Sequence, residues 1–152
     1  MDVKRAYLDG ILKEKVYMHQ PERYKDNTSW MCELIKTVYG LKQSGWEWNI
    51  ELDEKLKIFS FQQLCSDPCA YIKQDGNDMV IITVWVDDLL IFASSNEQTK
   101  SDLCTQWEVT DLGEPTKIIG IEVTQTNDSI TISQKVYIES ILKCEGLSKS
   151  IA

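Results

Sequence analysis

A chain of 152 residues, 43% of them hydrophobic, is long enough for one compact domain with a real core. Sixteen basic against twenty-four acidic residues leave a net charge of −8, with Arg5 and Arg23 the only arginines, so the global field repels nucleic acid. No run approaches the roughly 20 apolar residues that span a bilayer, and no basic segment leads into an apolar one at the N-terminus, which excludes a membrane partner and predicts an intracellular protein, cytoplasmic or nuclear. The cysteines at 32, 65, 69, 104 and 144 lack metal-type pairing and read as reduced thiols.

Taken in chain order, Asp2 to Leu8 and Lys15 to Met18 read as short strands. From Gly45 to Phe59, the spacing of Trp48, Leu52, Leu56 and Phe59 predicts an amphipathic helix with Ser44 as N-cap. Asp75-Gly76-Asn77-Asp78 is a turn signal, followed by an apolar strand from Met79 to Val86 and its hairpin partner from Leu89 to Ala93. Ser95 to Trp107 reads as a second helix capped by Ser95 or Asn96. Strands at Ile118 to Thr124 and Ser129 to Ser133 flank Asn127-Asp128, and a last helix runs from Lys135 to about Cys144, stopped by Gly146. This order predicts a single α+β domain over 1–152, with helices packed on one face of a mainly antiparallel sheet and the 79–93 hairpin at its centre. Lys13/Lys15 and Lys55/Lys57 read as solvated faces.

Asp87 and Asp88 interrupt the apolar run Val84-Trp85-Val86-Asp87-Asp88-Leu89-Leu90-Ile91. Carboxylates are costly to bury, and the turn between the two strands lacks the Asn-Gly or Asp-Gly that a two-residue connection prefers. Two carboxylates at a tight turn offer the hard oxygen ligands that a pair of Mg²⁺ ions takes in phosphoryl chemistry. The alternative is a polar hairpin tip with solvated charges.

Several strings stand in a recognisable order: Asp2-Val3-Lys4-Arg5-Ala6-Tyr7-Leu8-Asp9-Gly10, Val16-Tyr17-Met18-His19-Gln20-Pro21-Glu22, Val38-Tyr39-Gly40-Leu41-Lys42-Gln43-Ser44, Asp67-Pro68-Cys69-Ala70-Tyr71, Trp85-Val86-Asp87-Asp88, Asp111-Leu112-Gly113, Ile119-Gly120-Ile121-Glu122-Val123 and Ile132-Ser133-Gln134-Lys135-Val136-Tyr137-Ile138. With them the chain resembles the reverse transcriptase of copia-type retrotransposons. The resemblance implies a polymerase palm-like fold and an RNA-directed DNA polymerase activity on a template-primer and deoxynucleoside triphosphates. It implies that Asp2, Asp87 and Asp88 are catalytic and hold Mg²⁺ or Mn²⁺, that Tyr7 lies under the sugar of the incoming nucleotide, and that Lys42 and Gln43 touch template or nucleotide. Because Met1 directly precedes the first block, the fingers segment is expected to be absent, as are the thumb and ribonuclease H regions.

Departures from the family pattern point the other way. After Gln43 the family carries Ser or Ala, then Pro and Arg before an aromatic, whereas this chain reads Ser44-Gly45-Trp46-Glu47-Trp48; Trp85 stands where the family has tyrosine. Trp30, Trp46, Trp48 and Trp107 suit core packing or a partner surface better than base stacking. The expectations are a palm unable to polymerise alone or, alternatively, a domesticated non-catalytic fold acting as an interaction module. A homodimer through Trp30, Trp46 and Trp48 is expected in either case.

Overall fold

The computed structural model describes residues 1–26, 28–76, 78–95 and 97–147. The chain falls into two compact units, Met1–Asp111 and Leu112–Ala152. Together they are α+β, as the order of elements predicts.

The first unit is built on a six-stranded antiparallel sheet. In chain order its strands are β1 (Asp2–Val3), β4 (Gln62–Gln63), β5 (Ala70–Asp75), β6 (Asp78–Trp85), β7 (Asp88–Phe92) and β8 (Val109–Thr110), and in space the order is β4-β5-β6-β7-β1-β8. A separate two-stranded ribbon pairs β2 (Ile11–His19) with β3 (Met31–Lys36). Period-two alternation in β6 buries Val80, Ile82 and Val84 on one face, and Leu89 joins them from β7 opposite Val84. Two helices, α1 (Ser44–Ile58) and α2 (Glu97–Gln106), cover that face. Trp48, Leu52 and Leu56 recur at helical spacing along α1 and merge with Leu103 of α2, Phe61, Tyr71 and Trp107 into one core. The β6–β7 hairpin occupies the middle of the sheet, as the apolar runs on either side of Asp87-Asp88 predict.

Several boundaries differ from the sequence expectation. The strand expected over Asp2 to Leu8 ends at Val3, because Arg5 turns left-handed (φ 65°) and a single 3₁₀ turn, Ala6–Leu8, follows with Ala6 buried in the core. Ser44 is the first helical residue, not the cap: its hydroxyl donates to the Val38 carbonyl at 2.6 Å, and Gln43 flanks the helix. The helix after the hairpin begins at Glu97; Asn96, the alternative cap, and Asn77 of the turn signal lie outside the described residues. Strands β3 and β5 carry Glu, Lys and Gln among their apolar residues, which hides their alternation in sequence.

The second unit holds β9 (Lys117–Ile118), β10 (Ile121–Gln125) and β11 (Ile130–Ser133) in the order β11-β10-β9, followed by α3 (Lys135–Cys144). The strand expected over Ile118 to Thr124 is broken at Ile119 and Gly120, whose φ values of 49° and 81° close a tight hairpin between Ile118 and Ile121. Among the described residues of this unit none is buried. No helix among the described residues is long and apolar enough to cross a membrane.

Candidate active site

The central hairpin closes on the pair Trp85 and Asp88, so the two turn residues are Val86 and Asp87, one position earlier than the sequence suggests. Val86 has φ 56° while Asp87 keeps a negative φ, the pattern of a turn that ordinarily places glycine first. A β-branched residue in the left-handed region costs about 1–2 kcal/mol, so the surroundings must hold it there. Three hydrogen bonds do so. The Trp48 indole Nε1 donates to the Val86 carbonyl at 2.8 Å, the Val3 amide donates to the Asp87 carbonyl at 2.8 Å, and the Tyr39 hydroxyl donates to Asp87 Oδ2 at 3.2 Å.

Strand β1 lies beside β7, with Asp2 directly opposite Asp88. Directly paired residues project to the same face, and since Val3 points into the core, Asp2 and Asp88 point away from the helices. Asp87 stands next to them, with its Oδ1 buried and lacking a hydrogen-bond partner. Burial pushes the Asp87 carboxyl above its ordinary range; the Tyr39 hydrogen bond opposes this, and the charges of Asp2 and Asp88 add to it. The Tyr39 hydroxyl is likewise raised, by burial first and then by Asp87.

Tyr7 belongs to the same cluster through its ring, which packs on Tyr39 with centroids 5.1 Å apart. A backbone framework fixes this arrangement. The Thr37 hydroxyl donates to the Tyr7 carbonyl and its amide to the Gly10 carbonyl, while Gly10 sits so close to α1 that a Cβ there would lie 3.1 Å from the Trp48 backbone nitrogen.

Over residues 1–152 the chain matches the family described as reverse transcriptase (RNA-dependent DNA polymerase). The chain belongs to the reverse transcriptase family. Among similar proteins, the retrovirus-related Pol polyprotein from transposon TNT 1-94 of Nicotiana tabacum is 34% identical over 151 residues, covering 94% of this chain and 11% of that protein. The Pol polyprotein from transposon RE1 of Arabidopsis thaliana is 34% identical over 147 residues, 93% of this chain and 10% of its own length. The transposon TyH3 Gag-Pol polyprotein of Saccharomyces cerevisiae is 30% identical over 139 residues, 81% and 7% respectively. No solved structure matches. This reverse transcriptase chain thus spans about a tenth of the length of the plant polyproteins it resembles, which are of the copia type.

Of the six residues singled out by sequence in this reverse transcriptase, the structure sets Asp2 opposite Asp88 with Asp87 in the adjoining turn, and Tyr7 against the Tyr39 that bonds Asp87. Gln43 flanks the start of α1 and Lys42 is exposed just before it; among the described residues neither side chain hydrogen-bonds to the aspartates. Carboxylates are the hard oxygen donors that Mg²⁺ or Mn²⁺ takes, and the buried, unpartnered Asp87 Oδ1 is the atom that a cation would satisfy if these residues held one. Among the described residues no three His, Cys, Asp or Glu side chains converge closely enough to hold a metal ion. The fit therefore lies in the donor chemistry of the carboxylates and in the register that pairs Asp2 with Asp88.

Sequence reasoning missed Tyr39, and of its two readings of Trp48, core packing and a partner surface, the structure bears out the first. Trp48 is 3% exposed, packed edge-on to Trp107 at 5.6 Å, and so is unavailable to the dimer surface expected to include it. Trp30 and Trp46 are 77% and 68% exposed. The basic residues that follow Asp2 most closely in sequence are paired with an acid: Lys4 and Arg5 both bind Glu108, at 2.6 and 2.9 Å. On α1, Lys57 pairs with Asp53 at 2.6 Å and Lys55 with Glu51 at 3.8 Å, in keeping with a solvated helix face.

Proposed function

We propose that this chain is the palm portion of a copia-type retrotransposon reverse transcriptase, an RNA-directed DNA polymerase in which Asp2, Asp87 and Asp88 form a two-metal site for nucleotidyl transfer. The single observation carrying this reading is the placement of Asp2 opposite Asp88, beside an Asp87 that keeps one oxygen buried and unpartnered. Bound Mg²⁺ or Mn²⁺ would neutralise the leaving pyrophosphate and make the attacking hydroxyl more nucleophilic. The chain's own residues bind and orient: Asp2 and Asp88 project from neighbouring strands, Asp87 is oriented by Tyr39, and the Tyr7 ring offers a flat surface beside the carboxylates for the sugar of a deoxynucleoside triphosphate. Lys42 and Gln43 face the template strand or nucleotide from the start of α1. A cytoplasmic or nuclear setting follows from such a role.

With twenty-four acidic residues against sixteen basic ones, and Lys4 and Arg5 held by Glu108, the isolated chain has few cations for template phosphates. It is expected to bind divalent metal and to extend no primer. Calorimetric titration with Mn²⁺ tests the site: binding lost in an Asp87→Asn, Asp88→Asn variant supports it, and equal titration of both proteins removes it. Robust primer extension by the isolated chain would overturn the expected inactivity.

A second reading, a domesticated non-catalytic fold that self-associates, draws on one observation, the outward-facing indoles of Trp30 and Trp46. A homodimer through them predicts concentration-dependent light scattering that Trp46→Arg reduces. A monomer at high micromolar concentration would exclude it.

A further inference from the structure

We infer that Trp48 and Tyr39 are positioning residues for Asp87, holding the Val86–Asp87 turn so that one carboxylate oxygen is committed and the other is presented. The geometry of the turn carries this inference, and only the use of the presented oxygen rests on the metal-site reading above. Val86 occupies a backbone region that suits glycine, and a turn of this sequence left to itself would relax out of it. Trp48 prevents relaxation from below. Its ring is wedged in the core against Trp107, and its Nε1 reaches the carbonyl immediately before Asp87 at 2.8 Å, which fixes the orientation of that peptide. Tyr39 acts from the other side, taking Asp87 Oδ2 at 3.2 Å while its ring rests on Tyr7. With Val3 holding the Asp87 carbonyl, the unpartnered oxygen of the side chain is Oδ1. Neither Trp48 nor Tyr39 needs to touch a ligand to set where that oxygen stands. Such supporting contacts ordinarily change metal affinity by about 10–100-fold when removed.

The test uses the ¹⁵N-labelled 152-residue chain with Trp48→Phe, Tyr39→Phe and Asp87→Asn variants, without metal and titrated with Mn²⁺. In the wild type the Trp48 indole N–H is expected to exchange with solvent far more slowly than those of the exposed Trp30 and Trp46. Trp48→Phe should shift the Asp87 and Asp88 amide resonances without metal. Tyr39→Phe, which alters an exposed ring, should weaken Mn²⁺ binding at least about tenfold with an unchanged unfolding midpoint. A folded Trp48→Phe protein with wild-type resonances at Asp87 and Asp88, or an indole N–H exchanging as fast as that of Trp46, overturns the inference. Should Trp48→Phe not fold, the wild-type exchange rate and Tyr39→Phe decide. Equal Mn²⁺ titration of wild type and Asp87→Asn would reject the metal site alone, leaving the positioning role to stand or fall on the metal-free resonances and indole exchange.

Discussion

At the residue scale the central fact is that Asp87 is destabilising as an ion. One of its oxygens is buried without a partner, and two further carboxylates stand beside it. Asp87→Asn removes the charge while keeping an acceptor for the Tyr39 hydroxyl, so the variant should unfold at a midpoint a few degrees above the wild type at neutral pH in the absence of metal. Differential scanning calorimetry checks this; an unchanged or lowered midpoint would mean that the carboxylate is better solvated than its surroundings indicate. Tyr71 supplies a pH dependence in the core. Burial, with Asp53 adding to it, pushes its hydroxyl from the ordinary 10 up to about 12. The folded state then holds a proton that the unfolded chain has released, so stability is full below about pH 10 and falls as pH rises toward 12. Denaturant unfolding between pH 9 and 12 should show that decline, and Tyr71→Phe should flatten it, although Gln63 then loses its 3.2 Å contact with the Tyr71 hydroxyl and the plateau drops.

At the element scale the hairpin turn and α1 do different work. The turn stores strain, and Val86→Gly should relieve about 1 kcal/mol of it, raising the unfolding midpoint while loosening Asp87. Helix α1 anchors the fold. Leu52 is fully buried between Trp48 and Leu56 in the core cluster, so Leu52→Ala should cost about 2–5 kcal/mol, read as a lowered denaturant midpoint at unchanged slope. Elements whose burial pattern is written in their own residues were legible in sequence: α1 by its Trp48, Leu52, Leu56 spacing, and β6 and β7 by their apolar runs; α3, expected from Lys135 to about Cys144, spans Lys135–Cys144. Elements that exist through their partners were not. β5 is a strand because it pairs with β6 from Ala70–Thr83 to Asp75–Asp78, and β1 stops at Val3 because Arg5 turns away.

At the scale of the whole molecule, every member of the core cluster lies within Met1–Asp111, and no described residue of the second unit is buried. A fragment ending at Asp111 should therefore retain a cooperative thermal transition, whereas residues 112–152 alone, about 40 residues without a buried core, should show none; circular dichroism melts of the two fragments distinguish these outcomes. The sequence by itself determined the family and the α+β class, because motif order and local periodicity are properties of the chain read along its length. Tertiary structure alone decided that Asp2 faces Asp88, that Asp87 rather than Asp88 sits in the turn, and that Tyr39 and Trp48 hold it there. Those contacts join positions far apart in sequence, and they depend on strand register and on the direction of single donor atoms. Neither leaves a local signal, because a one-residue shift in pairing reverses which face every side chain takes.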